Sequence, residues 1–461
     1  MKQPPGFYRE VVLLMLPMVI QNLVTSMLGM ADIFMVGLLG ELPMAAVTLA
    51  NIPLSMVEFF IFGVQSGATV LISQYWGRQD RESINRVVGV AAWIASAVSL
   101  TVALILFFVT TQFLSLFGND PAIIAMAAEY GRIAGFSYAL SGVTMVFVSM
   151  LRSIERPHVG MYILMTSMMC NTFLNWVLIF GNLGAPALGI KGAAFATLTA
   201  RVLEWIMMGI YLKRSDFKVR LNWVLKPGKD ITRRFLKYGT PVVCNEAIWG
   251  IGTGLYPSIL GHMEGSQEIL AAYTIAGNVN KICAVASFGI AATASILIGR
   301  EIGAGNKDRV HKMGLTMNTL AFMVGLVIGT FMFIFAVWVA PVWVFPLFKL
   351  SDGAIYIARG MIIILAFVTP LRNYNTSNIV GVLRGGGDVM AATVIDLVPM
   401  WCFALPLAAL CGLVWHTNVF LVYVMGNGVE QLGKCLAGVL RVRSGKWIHD
   451  LTRVELEGDA V

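Results

Sequence analysis

Charge is the scarcest property of this chain. Only 13% of its 461 residues are charged while 57% are hydrophobic, and the mean hydropathy is +0.77. A soluble domain carries about a quarter charged residues, so a water-facing globule is excluded and length here counts membrane helices rather than domains. A disulfide framework is also missing, because Cys170, Cys244, Cys283, Cys402, Cys411 and Cys435 all fall inside apolar runs, where a thiol behaves as a small hydrophobe. There is no G-x-x-x-x-G-K-[ST], no H-E-x-x-H and no CxxC, which removes the apparatus of nucleotide and metal-dependent hydrolysis. The five histidines are scattered, so an enzyme is not expected. The formal net charge of +8 does not imply nucleic acid, since the basic residues sit in short loops rather than on one face. The apolar run from Val11 to Leu39 is far longer than a signal-peptide core and has no A-x-A exit, so it reads as a first membrane helix.

What the chain does have is apolar runs of spanning length, about 20 residues for about 30 Å of hydrocarbon. They lie near 10–38, 46–74, 88–116, 124–150, 160–181, 191–212, 235–262, 270–299, 313–345, 355–382, 390–412 and 415–440. Breakers separate them, such as Gly118-Asn119-Asp120-Pro121, Gly181-Asn182-Leu183-Gly184 and Ser351-Asp352-Gly353. An all-α integral membrane protein of twelve helices in two six-helix bundles is predicted. Lys and Arg concentrate in alternate loops, at Arg78, Arg81 and Arg86, at Arg152 and Arg156, at Arg300, Lys307, Arg309 and Lys312, and between Lys213 and Lys237. The positive-inside rule places these loops and both termini in the cytoplasm and the protein in the cell (inner) membrane.

The sequence repeats itself. Pro17-Met-Val-Ile-Gln-Asn22 aligns with Pro241-Val-Val-Cys-Asn-Glu246 at an offset of 224, and Tyr75-Trp-Gly-Arg-Gln-Asp80 aligns with Glu301-Ile-Gly-Ala-Gly-Asn306 at 226. Met150-Leu-Arg152 meets Val382-Leu-Arg384 at 232. Each half crosses an even number of times, which makes the halves parallel repeats about an axis along the membrane normal. The expected lobes are 1–212 and 235–445, with a basic cytoplasmic linker at 213–234 and a cytoplasmic tail at 446–461.

Ionisable residues inside membrane helices are expensive and mark pathways or proton relays. Asp32 stands about two-thirds along the first helix with no Lys or Arg within a turn or two, so its carboxylate needs a proton, a cation or a donor. Asn171 and Asn175 lie one turn apart on the fifth helix and share a face, and Thr197 on the sixth adds a hydroxyl. Singly such residues are interhelical glue; with Asp32 they supply a carboxylate and three neutral oxygens, hard ligands for an alkali cation. Further candidates for substrate binding or coupling are Asn22, Arg201, Glu204, Asn245, Glu246, Lys281 and Asp396. Glu430 with Lys434, Arg201 with Glu204, and Glu246 with Lys281 are expected to neutralise one another. Pro17 and Pro241 hold equivalent places in the first helix of each half and favour a bend, with Pro17 a candidate gate beside Asp32. The 26 methionines, with Trp205, Trp249 and Trp401, suit an adaptable apolar cavity for flat cations.

These features resemble the multidrug and toxic compound extrusion (MATE) family over about residues 8–445. The resemblance rests on the repeat, on Pro17…Ala31-Asp32…Val36-Gly37, on Gly77-Arg-Gln-Asp80 and Gly303-Ala-Gly-Asn306, on Leu151-Arg152 and Leu383-Arg-Gly385, and on Gly192-Ala-Ala-Phe-Ala-Thr197. It implies a V-shaped pair of bundles that expels cationic or polyaromatic compounds in exchange for Na⁺ or H⁺ by rocker-switch alternating access. It also implies that Asp32, Asn171, Asn175 and Thr197 form the cation site. Relatives with a C-lobe acidic site place the seventh-helix Glu further along and add an acid in the tenth helix, where this chain has Arg372, Asn373 and Asn375. The expectation is therefore a monomeric antiporter of small organic cations in the lipid bilayer, with no cofactor beyond the coupling ion and no nucleic-acid partner. Export or flipping of a lipid-linked saccharide or metabolite is the alternative, and its few cationic candidates are Arg201, Lys281 and Arg372.

Overall fold

The computed structural model describes residues 3–117, 120–217, 219–345 and 351–452. Gly118 and Asn119 of the predicted turn and 453–461 of the predicted tail lie outside the described residues. Among the described residues ten helices are long and apolar enough to cross a membrane: α1 (Phe7–Gly37), α2 (Leu42–Gly77, with a break at Asn51), α3 (Arg81–Phe108), α4 (Pro121–Ser153), α5 (Pro157–Phe180), α6 (Ile190–Arg214), α8 (Ser266–Gly303), α9 (Lys307–Trp343), α10 (Asp352–Leu383) and α11 (Val389–Val414). The remaining two positions of the repeat are occupied by α7 (Lys229–Gly261) and α12 (419–443). Both are long enough to span, and they are more polar than the rest because they carry Asn245 and Glu246 on α7 and Glu430, Gln431 and Lys434 on α12. Among the described residues the only extended pairing is an isolated bridge between Gly387 and Ile448.

Helix ends follow local chemistry. Asp80 accepts from the Ser83 amide at 3.0 Å to open α3, and Asp120 accepts from the Ala122 amide at 2.8 Å to open α4. Such side-chain caps satisfy amides that the first helical turn leaves unpaired. The repeated motifs are the same turn built twice. Gln79 (φ 59°) and Gly305 (φ 86°) take the left-handed conformation at equivalent places, and the next amide reaches back five residues in both, Asp80 N to Tyr75 O at 3.0 Å and Asn306 N to Glu301 O at 2.9 Å. Glu155 (φ 62°) and Gly387 (φ 89°) repeat the pattern after α4 and α10, with Arg156 N bonded to Leu151 O at 2.8 Å and Asp388 N to Leu383 O at 3.0 Å.

Packing repeats as well. In the first half α2, α3 and α4 pack on one another and α5 packs on α6; α8, α9 and α10 do the same in the second half, with α11 on α12. Close approach needs small residues: a Cβ on Gly325 of α9 would stand 2.7 Å from Pro370 Cα of α10.

The chain resolves into two compact units, Leu16–Val243 and Met1–Met15 with Cys244–Val461. The divisions fall inside α1 and α7, beside Pro17 and Pro241, rather than at the 213–234 linker. The physical reason is visible at each helix start. Glu10 of α1 pairs with Arg300 at 2.6 Å, and Gln3 donates to the Thr316 hydroxyl at 2.7 Å, both on the second-half unit. Conversely Arg234 of α7 donates to the Tyr75 hydroxyl at 3.0 Å. The linker itself is packed rather than loose: a short helix, Leu221–Leu225, lies on α3, where a Cβ on Gly89 would come 2.3 Å from Val224 O. The start of the tail is likewise folded back. Trp447 is fully buried, and the His449 amide donates to Gly386 O at 2.7 Å.

The halves differ in helical regularity. Wide turns of the i→i+5 type occupy Ser377–Leu383, Pro399–Ala404 and Met425–Val429, whereas the described helices of the first half contain none. Such turns change which side chains a helix presents and are frequent at functional sites.

Candidate functional site

In the Leu16–Val243 unit three helices bring Asp32, Asn171, Asn175 and Thr197 into one hydrogen-bonded chain. Asn175 Nδ2 donates to Asp32 Oδ1 at 2.6 Å and to Asn171 Oδ1 at 3.1 Å, and Asn171 Nδ2 donates to Thr197 Oγ1 at 3.2 Å. Both asparagines are buried while Asp32 and Thr197 are partly open. The one-turn spacing of Asn171 and Asn175 puts both amides on the same face of α5. α6 can reach them because Gly192 lets its backbone approach α5: a Cβ there would lie 2.4 Å from Leu178 O. The Asn175 Oδ1 atom is buried without a hydrogen-bond partner. Leaving an amide oxygen unsatisfied costs about 1–3 kcal/mol, so this atom is the exposed valence of the cluster.

A second group lies beside it. Arg201 Nη1 pairs with Glu204 Oε1 at 2.8 Å, as the sequence predicts, and the guanidinium is also within electrostatic reach of Glu58 and Asp32. Glu58, on α2, was absent from the residues singled out by sequence. Glu204 alone is bonded to the guanidinium, and Asp32 and the exposed Glu58 act on it at longer range. Pro17 sits within an unbroken α1, and Asn22, one turn further on, is half-buried.

The other unit holds its own polar centre. Glu246 Oε1 pairs with Arg384 Nη1 at 2.6 Å, which corrects the expected pairing with Lys281; Lys281 is exposed on α8. Asp396 accepts from Lys434 Nζ at 2.6 Å and from Asn245 Nδ2 at 2.8 Å, with Arg384 Nη2 at 3.9 Å. The predicted Glu430 and Lys434 pair exists at 2.7 Å, but it is not self-contained, since Lys434 is shared with Asp396. Tyr256 donates to Glu430 Oε2 at 3.2 Å. Three carboxylates, Glu246, Asp396 and Glu430, meet two cations, Arg384 and Lys434, and each carboxylate has a cation within 2.7 Å, the pairing that a buried ionic network needs, while the Asn245 Oδ1 atom is left without a partner.

Arg384 entered the sequence reading only as a repeat motif. Its counterpart shows what signal was available: Arg152 Nε donates to Gln21 Oε1 at 2.5 Å, and Gln21 aligns with Asn245 just as Asn22 aligns with Glu246. The repeat therefore predicts a contact between the seventh helix and Arg384 once its first-half equivalent is known.

A family model described as MatE matches residues 17–177 and again residues 253–410, once in each half. A probable multidrug resistance protein NorM of Thermotoga maritima is 25% identical over 97% of this chain and 94% of its own length. The probable multidrug resistance protein YoeA of Bacillus subtilis is 25% identical over 88% of this chain and 87% of its own. Among solved structures, a MOP superfamily transporter from Pyrococcus furiosus superposes with a TM-score of 0.83 at 19% identity, covering 97% of this chain and all of the other. A mutant of the Vibrio cholerae MATE transporter VcmN gives 0.84 at 18%, covering 95% and 97%. The fold is that of these transporters, two bundles with about twelve membrane helices. With both halves matched by one family model, the chain belongs to the MATE family and is a multi-pass membrane transporter, not an enzyme.

Proposed function

We propose that this transporter is a cation-coupled antiporter of the cell membrane, with both termini cytoplasmic, that works as a monomer and exports cationic or polyaromatic organic compounds by rocker-switch alternating access. Drug export is supported by the relatives named as multidrug resistance proteins. The observation that carries the coupling is the Asn175 amide, whose nitrogen is bonded to Asp32 while its Oδ1 is buried without a partner. With the amide nitrogen turned to Asp32, the carboxylate is served without an ion. A half-turn of the Asn175 amide exchanges nitrogen for oxygen and sets two oxygens face to face. That arrangement is favourable only with a proton on Asp32 or a cation between them. For Na⁺ the ligands are Asp32, Asn175, Asn171 and Thr197, all hard oxygens; for H⁺ the protonated Asp32 donates to Asn175.

Either ion removes the negative charge of Asp32 and, through it, part of the attraction that Asp32, Glu58 and Glu204 exert on an organic cation. Ion and drug then compete, which is the requirement for exchange. Asn22 and the half-buried Arg201 are assigned to the drug-facing surface of this unit and the exposed Lys281 to that of the other, while Glu204, Asn245, Glu246 and Asp396 act behind these surfaces through the ionic contacts of their own units. Pro17, where α1 passes from one compact unit to the other, is assigned as the gate, because a helix lacking one backbone hydrogen bond bends there at least cost.

The test is dye efflux from proteoliposomes under separately imposed Na⁺ and pH gradients. Wild type should respond to one gradient, and Asp32→Asn should respond to neither while inserting normally. Efflux by Asp32→Asn at the wild-type rate would refute the coupling.

A further inference from the structure

The second-half unit contains a guanidinium that its neighbours do not neutralise. Arg372 lies about two-thirds along α10 and donates Nη1 to Asn280 Oδ1 at 2.6 Å and Nη2 to Asn427 Oδ1 at 2.8 Å. Both acceptors are neutral amide oxygens, and no ion pair to Arg372 occurs among the described residues. The nearby acid on α12, Glu430, is already held by Lys434 at 2.7 Å and by the Tyr256 hydroxyl at 3.2 Å. An arginine offers five N–H donors in a planar fork, so three remain for another acceptor. Membrane-embedded charge without a partner is costly and is retained where a ligand completes it.

The surroundings suit such a ligand. Arg372, Asn280 and Asn427 are each only half-buried, which leaves the fork reachable. Tyr273 and Tyr423 stand edge to face with ring centroids 6.3 Å apart, and both are within electrostatic reach of the guanidinium. Asn427 is presented from the wide turn Met425–Val429, where the altered register turns its amide to α10. A flat anion could meet the fork with two parallel hydrogen bonds, the geometry in which arginine excels, while its aromatic body lies against the tyrosines.

We propose that Arg372, oriented by Asn280 and Asn427 and flanked by Tyr273 and Tyr423, binds the carboxylate of an aromatic organic acid or zwitterion. This site is separate from the Asp32 chain and widens the substrate range beyond simple cations to compounds that also carry an acid group. The Asp32 proposal does not depend on it, and ion-driven efflux of a purely cationic dye tests that proposal separately.

The experiment compares a carboxy-rhodamine with its methyl ester, two dyes with the same cationic ring system and one carboxylate of difference. Fluorescence polarisation of each, titrated with the purified full-length protein in detergent, gives two dissociation constants per variant. Arg372→Gln should weaken the free-acid dye by about tenfold or more, the loss of a charge-assisted bidentate contact, and leave the ester within about twofold. Arg372→Lys, keeping charge without the fork, should fall between. Retained ester binding certifies the fold. Equal weakening of both dyes, or of neither, overturns the proposal. If Arg372→Gln does not fold, Asn427→Asp supplies the guanidinium with an internal carboxylate and should produce the same selective loss; an unchanged acid-to-ester ratio there overturns it equally. Displacement of the free-acid dye by phosphatidylglycerol in wild type but not in Arg372→Gln would reassign the fork to lipid phosphate and also overturn it.

Discussion

The two halves are built on one scaffold and solve the problem of buried polarity in opposite ways. In the Leu16–Val243 unit Asp32 and Arg152 are each bonded to a neutral amide, Asn175 and Gln21, with the Arg201–Glu204 ion pair close to Asp32. In the polar centre of the other unit, charges are paired with charges. Position 22 is Asn where position 246 is Glu, and position 32 is Asp where position 256 is Tyr. Gln21 answers Arg152 with an amide oxygen; Glu246 answers Arg384 with a full negative charge. A centre whose every carboxylate is bonded to a cation holds its shape without an added ion. A carboxylate bonded to a neutral amide instead, as Asp32 is, changes its bonding when a cation or proton arrives. The difference teaches that duplicated helices can divide labour, one half as ion sensor and the other as stable partner, through substitutions at a handful of equivalent positions.

The contrast can be broken from either side. Arg384→Met should cost about 3–5 kcal/mol of stability, because it strands Glu246 as an uncompensated buried charge. Thermal unfolding in detergent would register this as a large fall, and Glu246→Gln added to it should recover part of the loss. Asp32→Asn should do the reverse, abolishing gradient-driven efflux while moving the unfolding midpoint little. A midpoint as depressed as that of Arg384→Met would show Asp32 to be structural. Asn175→Leu should raise the half-saturating concentration of the coupling ion by about tenfold, the usual scale for losing one supporting ligand, and Asn175→Asp should not. Transport measured against ion concentration separates the two. The smallest effect concerns the repeated turn. Gln79→Gly should stabilise by about 1 kcal/mol by relieving a left-handed non-glycine residue, and Gly305→Gln should destabilise by a similar amount. Unfolding midpoints that do not move in opposite directions would show that the two turns are not energetically equivalent.

Much of the architecture is legible in the amino-acid sequence alone. Long apolar runs located the helices because the bilayer sets their length, and the repeat was visible because the same turn, a left-handed residue before Asp80 and before Asn306, closes the second helix of each half. Asp32 stood out because nothing in its own helix could neutralise it. Other features depend on tertiary meetings. Glu246 and Arg384 are 138 residues apart in sequence, and nothing local to either favours Arg384 over Lys281. Glu58 lies near the middle of the 46–74 run, a signal of the same kind as Asp32, and only its nearness to Arg201 depends on the tertiary fold. The division of units inside α1 and α7 was hidden for the same reason: composition marks the linker at 213–234, whereas compactness is decided by where Glu10 and Arg234 find their partners.

That division has a consequence for how the molecule is made. Met1–Met15 belong to the unit completed by Cys244–Val461, and Leu16–Val243 includes the opening turns of α7. Neither half of the gene therefore encodes a complete unit. The earliest part of α1 must wait at the membrane for α8 and α9 to emerge before its contacts can close, and insertion order and folding order are uncoupled there. Two fragments cut between the halves and produced together should assemble into one working transporter, while each alone should remain unfinished.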